Sequence, residues 1–534
     1  MATAYHTSPY RDSIPAWMIT PCLLLLFLLE SFVMGVNGIT GGRVASFFGV
    51  EQPIITMFIQ FSSIGTLVII PASYRFRSFF RRSDFLIVCM GLQAIISFVC
   101  FKTNNIVVLL GSSFLMGMLH IMCVLDLISL LVGQFDFMKD RALFYGSYYG
   151  ISRTLMQIAE YFSLNFVEEY DWKIIFKIST AAAVVAIVVC FLLFTRERSQ
   201  HAMPLYQMDW GSLTLYSVAS MLFCFTLAMG LTQDWLESPQ IWIAGSLFIV
   251  VTMVFIIRQN HIKRPFWNLT IFKQFKQISL GFYMMILLYV FYTTSILFDR
   301  FAAYNFQDME SYMANMSLVT LITYVIGFPA AGLLLYKGFS TRIIMFIGFA
   351  LYGISLLYFY QIIQTTLSSE DLIIPYALQG FAYTIILTAG GTFMSVNVPK
   401  SYNKDRVMAT LTARYIIGAF IGSALYSNWI HRGVGHHSTY LSEHTTGIDY
   451  PFIGSIKSLS HVFTARGAGV QTAEDAALAL FKRKEEVQAM LMTIKDISLV
   501  IGITALCVAF VMLLTNRLDM HHKVTRSKYR IIPW

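Results

Sequence analysis

Residues 17–40 read WMITPCLLLLFLLESFVMGVNGIT, an apolar run of about one bilayer thickness with a single acid, Glu30, near its middle. A carboxylate at membrane depth is costly unless it is protonated, paired or facing water, so a chain that keeps one there generally uses it. The pattern therefore indicates a proton- or cation-coupled transport site. A neutral Glu30 hydrogen-bonded inside a helix bundle is the structural alternative.

Composition extends this interpretation to the whole chain. The 534 residues are 57% hydrophobic and only 13% charged, with a mean hydropathy of +0.64, which predicts an all-α, multi-pass membrane protein. The seven cysteines are widely spaced in apolar segments, so the sequence predicts neither a disulfide framework nor a metal site. No phosphate loop, G-x-S-x-G or H-E-x-x-H motif occurs, so we expect no enzyme activity and no cofactor.

Fourteen apolar segments are long enough to cross a bilayer. The first lacks a basic leader and a cleavage site, and is interpreted as a retained span. The predicted spans are 16–40, 52–72, 85–101, 105–132, 142–167, 174–194, 210–230, 239–257, 279–301, 312–335, 342–360, 372–396, 407–429 and 491–516.

Lysine and arginine in the short loops predict the orientation. The loops and tails on the side of the two termini carry 24 of them, whereas the short loops opposite carry only Arg43, Lys102 and Lys173. Both termini are therefore predicted to be cytoplasmic. The formal net charge of +9 follows from this bias and from attraction to anionic membrane lipids, so no nucleic-acid partner is expected.

The spacing of the spans predicts three parts: a six-helix half over 1–200, an inserted two-helix hairpin over 201–265, and a second six-helix half over 266–534. Residues 430–490 form the only long loop, which this topology places outside the cytoplasm. Near its end, TAEDAALALFKRKEEVQAMLM predicts a short surface helix that leads into the last span, with Thr472 and Asp475 as a capping box.

Several motifs resemble a known family. They are Gly380, the set Arg414, Gly418 and Gly422, the pattern Arg432, His436, His437, Leu441 and Glu443, the pair Trp172 and Phe176, and the position of Glu30. Together they resemble the fourteen-span drug:proton antiporter branch (EmrB/QacA-type exporters) of the major facilitator superfamily. The resemblance implies a major-facilitator fold, multidrug efflux across a bacterial inner membrane, and a periplasmic adaptor with an outer-membrane channel as partners.

The chain also departs from that family. The loop after span two, PASYRFRSFFRRSDF, is basic but lacks the glycines of the usual motif, and Ser113 stands where the fourth-span motif has Arg. Span five reads YGSYYGISRTLMQIAEYF, with glycines but without the Gly-Pro pair of the antiporter motif. The proton-antiport machinery of the family therefore does not transfer intact.

Additional charges accompany these losses: Asp126 in span four, and Arg153 and Glu160 in span five. Arg153 lies about 16 Å into its span, at the depth of Glu30, and an arginine there needs a carboxylate or water beside it. We expect Arg153 to pair with Glu30, or less favourably with Asp126. A structural pair of Arg153 and Glu160 on one helix face is the alternative.

The thirteenth span carries Arg414 near its cytoplasmic end, where a snorkelling side chain and a gating role are both open. Gly418 and Gly422 predict close helix packing, here between the two halves. His120 is interpreted as a core histidine, and the adjacent His436 and His437 as solvated loop residues.

The sequence thus predicts a secondary transporter that exports amphipathic or lipophilic small molecules against proton uptake. The Phe, Tyr and Met content suits an adaptable apolar cavity, although lipid contact and packing explain most of these residues. Two alternatives stay open: a dedicated transporter of one metabolite or lipid with altered ion coupling, and a transporter-like sensor or assembly subunit that does not transport.

Overall fold

The computed structural model describes residues 9–34, 41–195, 208–306, 308–364, 367–443, 450–467 and 469–515. These residues are almost entirely helical and contain no strand, only an isolated antiparallel bridge between Tyr10 and Phe194. An all-helical architecture is the one that a bilayer favours, because each helix satisfies its own backbone hydrogen bonds.

The helices before residue 200 are α1 (Ala16–Val33), α2 (Gly41–Phe48), α3 (Gln52–Phe79), α4 (Arg82–Lys102), α5 (Ile106–Gln134), α6 (Arg141–Glu169) and α7 (Ile174–Leu193). A hairpin follows, formed by α8 (Trp210–Met229) and α9 (Pro239–His261). The remaining helices are α10 (Ile271–Gln274), α11 (Lys276–Tyr292), α12 (Ser295–Asn305), α13 (Met309–Tyr336), α14 (Thr341–Ile362), α15 (Ile373–Ser395), α16 (Asn403–Leu411), α17 (Ala419–Glu443), α18 (Tyr450–Ala465) and α19 (Val470–Leu514).

Every predicted span overlaps one of these helices or a run of helical segments joined end to end. Residues 35–40 of the first predicted span lie outside the described residues. Among the described residues, thirteen helical segments are long and apolar enough to cross a membrane. The predicted span 142–167 is absent from that set, although α6 has 29 residues, because tyrosines, Arg153 and Glu160 reduce its apolar character. Fourteen spans therefore stay a prediction.

Two long helices join the parts of the chain before and after the hairpin. Helix α6 packs on α13, where a Cβ added to Gly146 would lie 3.0 Å from both the Gly332 Cα and the Phe328 carbonyl oxygen. Farther along α6, Gln157 Nε2 donates a 2.7 Å hydrogen bond to Ser317 Oγ. Small residues and a polar pair thus hold this contact together, as is typical of helices packed in a membrane.

The hairpin packs against both parts of the chain. On α8, Cys224 Sγ lies 2.8 Å from Gln60 Oε1 of α3, and Tyr216 Oη lies 2.9 Å from Thr412 Oγ1. After α8, Trp235 Nε1 donates a 2.7 Å hydrogen bond to Asn428 Oδ1 of α17. The hairpin therefore bridges α3 and the thirteenth predicted span, while the boundaries at residues 201 and 265 stay a prediction.

The prediction of a long loop over 430–490 is wrong for the described part of that region. Helix α17 continues to Glu443, α18 follows, and α19 is 45 residues long, or about 68 Å at 1.5 Å per residue. The expected surface helix is thus the first part of α19. These segments are polar and amphipathic, and a search for apolar runs does not detect such helices.

Two local predictions in this region are also wrong. The Thr472–Asp475 capping box does not form, because α19 begins at Val470 and Thr472 Oγ1 donates to the Gly469 carbonyl oxygen at 2.7 Å. His436 and His437 lie on α17 and not in a loop, and His437 Nε2 lies 2.9 Å from Asp496 Oδ2 of α19.

Candidate functional site

A cavity of about 860 Å³ lies between the two parts of the chain. Its lining includes residues between helices, such as Met208, Asn268 and Ser401, so its mouth lies at the end that carries the basic loops. We call this the basic end; the sequence predicts it to be cytoplasmic. The cavity extends inward to Arg414 and has the size of sites that hold drug-sized molecules.

The cavity wall is predominantly basic. Seven of the nine charged residues in the lining are basic: Arg75, Arg77, Arg141, Arg264, Lys404, Arg406 and Arg414. The two acids, Asp209 and Asp405, already have cationic neighbours, with Asp209 Oδ1 at 2.9 Å from Arg258 Nη2 and Asp405 Oδ1 at 3.9 Å from Lys404 Nζ. The cavity therefore has a surplus of positive charge.

Asp209 also caps α8. Burial opposes its ionisation, but hydrogen bonds from Ser212 and Arg258 outweigh that effect and hold the pKa of Asp209 below its usual value. Its Oδ1 accepts from the Ser212 backbone N–H at 3.1 Å, which satisfies one of the free donors at the helix start. Asp209 thus stays anionic at neutral pH and fixes the hairpin beside the cavity mouth.

Arginine–tyrosine contacts lie at the inner end of the cavity, where Tyr149 and Arg414 belong to its lining. Arg414 Nη2 donates to Tyr289 Oη at 2.8 Å, and the guanidinium lies 5.0–5.3 Å from the ring centres of Tyr149, Tyr289 and Tyr415. Arg153 Nη2 donates to Tyr415 Oη at 2.6 Å and to Tyr289 Oη at 3.3 Å. We call these five residues the Arg–Tyr cluster. Each guanidinium meets phenol oxygens and ring faces, both of which stabilise a cation.

Arg414 does not snorkel towards the headgroups, because its side chain is 2% exposed. It belongs to a π-helical segment, Thr412–Gly418, that connects α16 to α17. Such segments are frequent at functional sites because they displace side chains from the regular helical register. The sequence pattern does not predict this π-helical turn, and the alternative of a snorkelling side chain is wrong because Arg414 is buried.

Gly418 and Gly422 do serve close packing, but within one half. A Cβ added to Gly418 would lie 2.6 Å from the Tyr289 Cβ, and one added to Gly422 would lie 3.1 Å from the Val290 Cα. Tyr289 and Val290 both belong to α11, in the same predicted half as α17. Gly418 therefore brings α11 close enough for Tyr289 to reach Arg414.

The predicted pair of Arg153 with Glu30 is not formed. Glu30 is fully buried within the first half, where Gln93 Nε2 donates to its Oε1 at 2.5 Å and His120 Nδ1 lies 3.4 Å from the same oxygen. Arg153 instead crosses to the second half through Tyr289 and Tyr415. The prediction failed because depth in the membrane does not determine which face of a helix meets which neighbour.

The alternative pair of Arg153 with Asp126 is wrong as well. Asp126 is fully buried near the basic end of α5, with its carboxylate oxygens 3.1 Å from Arg82 Nε and 3.6 Å from Arg77 Nε. Ser113, which stands in place of the family's arginine, donates a hydrogen bond to the Phe58 carbonyl oxygen. Asp126 therefore ties α5 to the basic segment at α3 and α4.

Glu160 lies seven residues after Arg153 on α6 and is partly buried. It interacts electrostatically with Arg153 and with Asp299 of α12, but no ion pair joins it to Arg153. The structural pair considered from the sequence is therefore absent. Asp299 introduces a second acid that sequence reasoning missed.

Sequence reasoning also missed the tyrosines. Tyr145, Tyr149, Arg153 and Gln157 recur every four residues along α6, and this spacing places them on one helix face. That periodic polar stripe in an otherwise apolar span was a detectable sign of a face directed at the interface. Tyr289 offers no such pattern, because its neighbours in the sequence are apolar. Tyr415 follows Arg414 directly, but only the tertiary fold brings these two tyrosines to Arg153.

Solved transporters of similar structure share this architecture. A mutant POT peptide transporter in complex with alafosfalin has a TM-score of 0.58 at 12% identity, over 96% of this chain and 97% of that one. A bacterial homologue of the human drug peptide transporters has a TM-score of 0.54 at 12% identity, over 95% and 99%. A mutant of the nucleoside transporter NupG has a TM-score of 0.51 at 11% identity, over 92% and 99%.

At such low identity the likeness establishes the fold alone. No protein-family model and no curated protein matches the sequence. The chain is a multi-pass membrane protein with the major-facilitator fold, as the sequence predicts. Its division into two six-helix halves with a two-helix hairpin between them stays a prediction.

Proposed function

We propose that this protein is a secondary active transporter that exports amphipathic or lipophilic small molecules against proton uptake by alternating access. The observation that carries the proposal is the cavity, which lies between the two halves, has its mouth at one end and stops at the buried Arg–Tyr cluster. A central site accessible from one side at a time is the arrangement that alternating access requires.

The acids proposed for proton coupling are selected because they are buried. Glu30 has no exposed surface and its second oxygen, Oε2, has no hydrogen-bond partner among the described residues. Carboxyl groups buried at membrane depth mark proton and ion pathways in transporters. We propose Glu30, with Gln93 and His120, as the principal coupling group. Glu160 beside Asp299 is the second candidate, and Asp126 serves the basic end.

The resemblance of the motifs in span thirteen supports assignment to the drug:proton antiporter branch (EmrB/QacA-type). On that basis we propose a location in a bacterial inner membrane with both termini in the cytoplasm. The helical region formed by the end of α17, α18 and the first part of α19 would then face the periplasm. There it offers a surface for a periplasmic adaptor that connects to an outer-membrane channel.

A second candidate function is transport of one dedicated metabolite or lipid with altered ion coupling. The surplus of positive charge in the cavity favours it, because a site for unrelated lipophilic compounds has no need of seven cations. Both candidates share the cavity and differ in the range of substrates.

The test measures proton flux in proteoliposomes that contain a pH-sensitive dye, with a panel of lipophilic cations, detergents and bile-salt-like anions. Wild type, Glu30→Gln and Arg153→Ala are compared with Glu51→Gln, which alters an exposed acid at the start of α3. We expect substrate-evoked proton movement in wild type and Glu51→Gln, and its loss in Glu30→Gln. Coupling that survives in Glu30→Gln would contradict the assignment of Glu30. No flux with any compound of the panel would contradict export of lipophilic compounds and favour the dedicated transporter.

A further inference from the structure

We infer that the inner end of the cavity is an oxyanion site, so that the substrate is an amphipathic organic anion whose carboxylate, phosphate or sulfonate binds between Arg153 and Arg414. The inference rests on the proposed function and narrows its substrate class. It starts from the geometry of the two arginines.

Arg153 and Arg414 come from opposite halves and share one partner atom. Both Nη2 atoms lie within hydrogen-bonding distance of Tyr289 Oη, at 3.3 Å for Arg153 and 2.8 Å for Arg414. Two guanidinium groups that meet at one oxygen repel each other, and the repulsion is strong where water is largely excluded. An anion placed between them removes that repulsion.

Neither arginine has a carboxylate in direct contact, and Glu160 acts on Arg153 only from a longer distance. Among the described residues no carboxylate lies within the 4.0 Å ion-pair distance of Arg153 or Arg414. Buried arginines are normally paired with acids, since an unpaired buried charge costs several kcal/mol. Tyrosine hydroxyls and ring faces offset part of that cost but supply no negative charge. The cluster is therefore incomplete as an electrostatic unit.

Arg414 also has unused donor capacity. Its side chain is 2% exposed and its Nε has no hydrogen-bond partner in the described part of the chain. Because Arg414 lines the cavity and Arg153 does not, a ligand entering from the basic end reaches the guanidinium of Arg414 before that of Arg153. A planar guanidinium with free donors is suited to an oxyanion, which accepts two parallel hydrogen bonds.

The rest of the wall fits the body of such a ligand. Ile121, Met122, Leu125 and Phe144 supply an apolar side, and Tyr145 and Tyr148 supply aromatic faces. Arg406 is 7% exposed and donates to Tyr145 Oη, which adds a second cationic position nearer the mouth. The site thus combines an anion-binding inner end with an apolar wall, the arrangement that an amphipathic anion requires.

A matched pair of probes tests the inference. N-dansyl-6-aminohexanoic acid and its methyl ester have the same aromatic body and differ in one negative charge. Binding is measured by fluorescence titration of the full-length protein in neutral detergent. We expect the acid to bind at least about tenfold more tightly than the ester, because one charge-assisted hydrogen bond contributes at least that factor to the affinity. Equal affinities in wild type would overturn the inference without any variant.

Variants then locate the site. Arg414→Gln and Arg153→Gln are expected to abolish the preference for the acid while binding of the ester persists, and Arg414→Lys to restore part of it. Arg466→Gln, which alters an exposed arginine after α18, is the matched control. Preference for the acid that survives both glutamine variants would overturn the assignment. Ester binding by each variant shows that its cavity is folded.

The source of the oxyanion is tested separately. Titrations are repeated in nanodiscs of phosphatidylcholine with and without phosphatidylglycerol. Unchanged affinity of the acid probe supports a soluble organic anion as the ligand. Displacement of the acid probe by phosphatidylglycerol in wild type, but not in Arg414→Gln, supports the same site with a lipid headgroup as its ligand. Displacement that does not require Arg414 would overturn the site. Because binding needs no turnover, failure of proton-coupled flux would contradict the proposed function and leave this result intact.

Discussion

Arg153 and Arg414 donate hydrogen bonds to the same phenol oxygen from opposite halves of the molecule. Arg153 is fixed on a regular helix, α6, whereas Arg414 lies on a π-helical segment. A rearrangement that separates the halves must therefore break at least one of these bonds. The shared oxygen of Tyr289 thus couples the position of the halves to the geometry of the anion site.

Tyr289→Phe removes that oxygen and keeps the ring. Arg414 then loses the only hydrogen bond described for its Nη2, so we expect the acid probe to bind about tenfold more weakly and stability to fall by about 1–3 kcal/mol. Fluorescence titration and thermal unfolding measure the two effects. Tyr304→Phe, at an exposed tyrosine of α12, is the control. Unchanged affinity in a folded Tyr289→Phe protein would refute the positioning role of Tyr289.

Gly418→Ala tests the close approach of α11. The added Cβ would meet the Tyr289 Cβ at 2.6 Å and the carbonyl oxygens of Ala413 and Ile286 at 2.8 and 2.9 Å. Because backbone atoms cannot rotate away, we expect a loss of about 1–3 kcal/mol and weaker probe binding. Gly435→Ala lies on α17 with nothing within 4 Å of the added Cβ, so it should be neutral or stabilising. Equal melting temperatures for the two variants would show that the approach is not tight.

The sequence predicted more of the fold than of the candidate site. Apolar length alone located every predicted span on a helix, because a bilayer imposes the same requirement on each segment. Apolar length located only the second part of the long helix α19, since its first part is polar. The position of Arg153 in span five predicted its depth in the membrane, but it did not predict which residues Arg153 contacts. Pairing depends on helix rotation, and the tyrosines that bind Arg153 come from 136 and 262 residues away.

Asp209→Asn tests the cap of α8. Since the pKa of Asp209 is lowered by the folded protein, its ionised form contributes stability that is fully present above the ordinary aspartate pKa of about 3.9. That contribution disappears as the pH falls through the lowered pKa. We expect Asp209→Asn to lower stability at pH 7 by about 0.5–2 kcal/mol, with the difference from wild type shrinking below about pH 4.

Thermal unfolding of detergent-solubilised protein between pH 3 and pH 7 measures this difference. Asp371→Asn is the control, because Asp371 accepts hydrogen bonds from Ser368 in an exposed turn away from the cavity. A difference between Asp209→Asn and wild type that stays constant over the whole range would contradict a contribution from ionisation.

Glu160→Gln tests whether an internal acid competes with the ligand for Arg153. The titratable and charged groups that interact with Glu160 are Arg153 on its own helix, Asp299, Tyr292 and Tyr376. An ionised Glu160 offsets the charge of Arg153 and repels an incoming anion, whereas a neutral side chain does neither. In wild type, acid binding should therefore strengthen as the pH falls and Glu160 takes up a proton.

In Glu160→Gln that competition is gone at every pH. We expect the acid probe to bind about fivefold more tightly than to wild type at high pH, and the two affinities to converge at low pH. The ester should bind both proteins equally, since it carries no charge for Glu160 to repel. Glu168→Gln, at an exposed acid on the same helix, should behave as wild type. Parallel pH profiles for wild type and Glu160→Gln would mean that Arg153 is available to the ligand whatever the charge of Glu160.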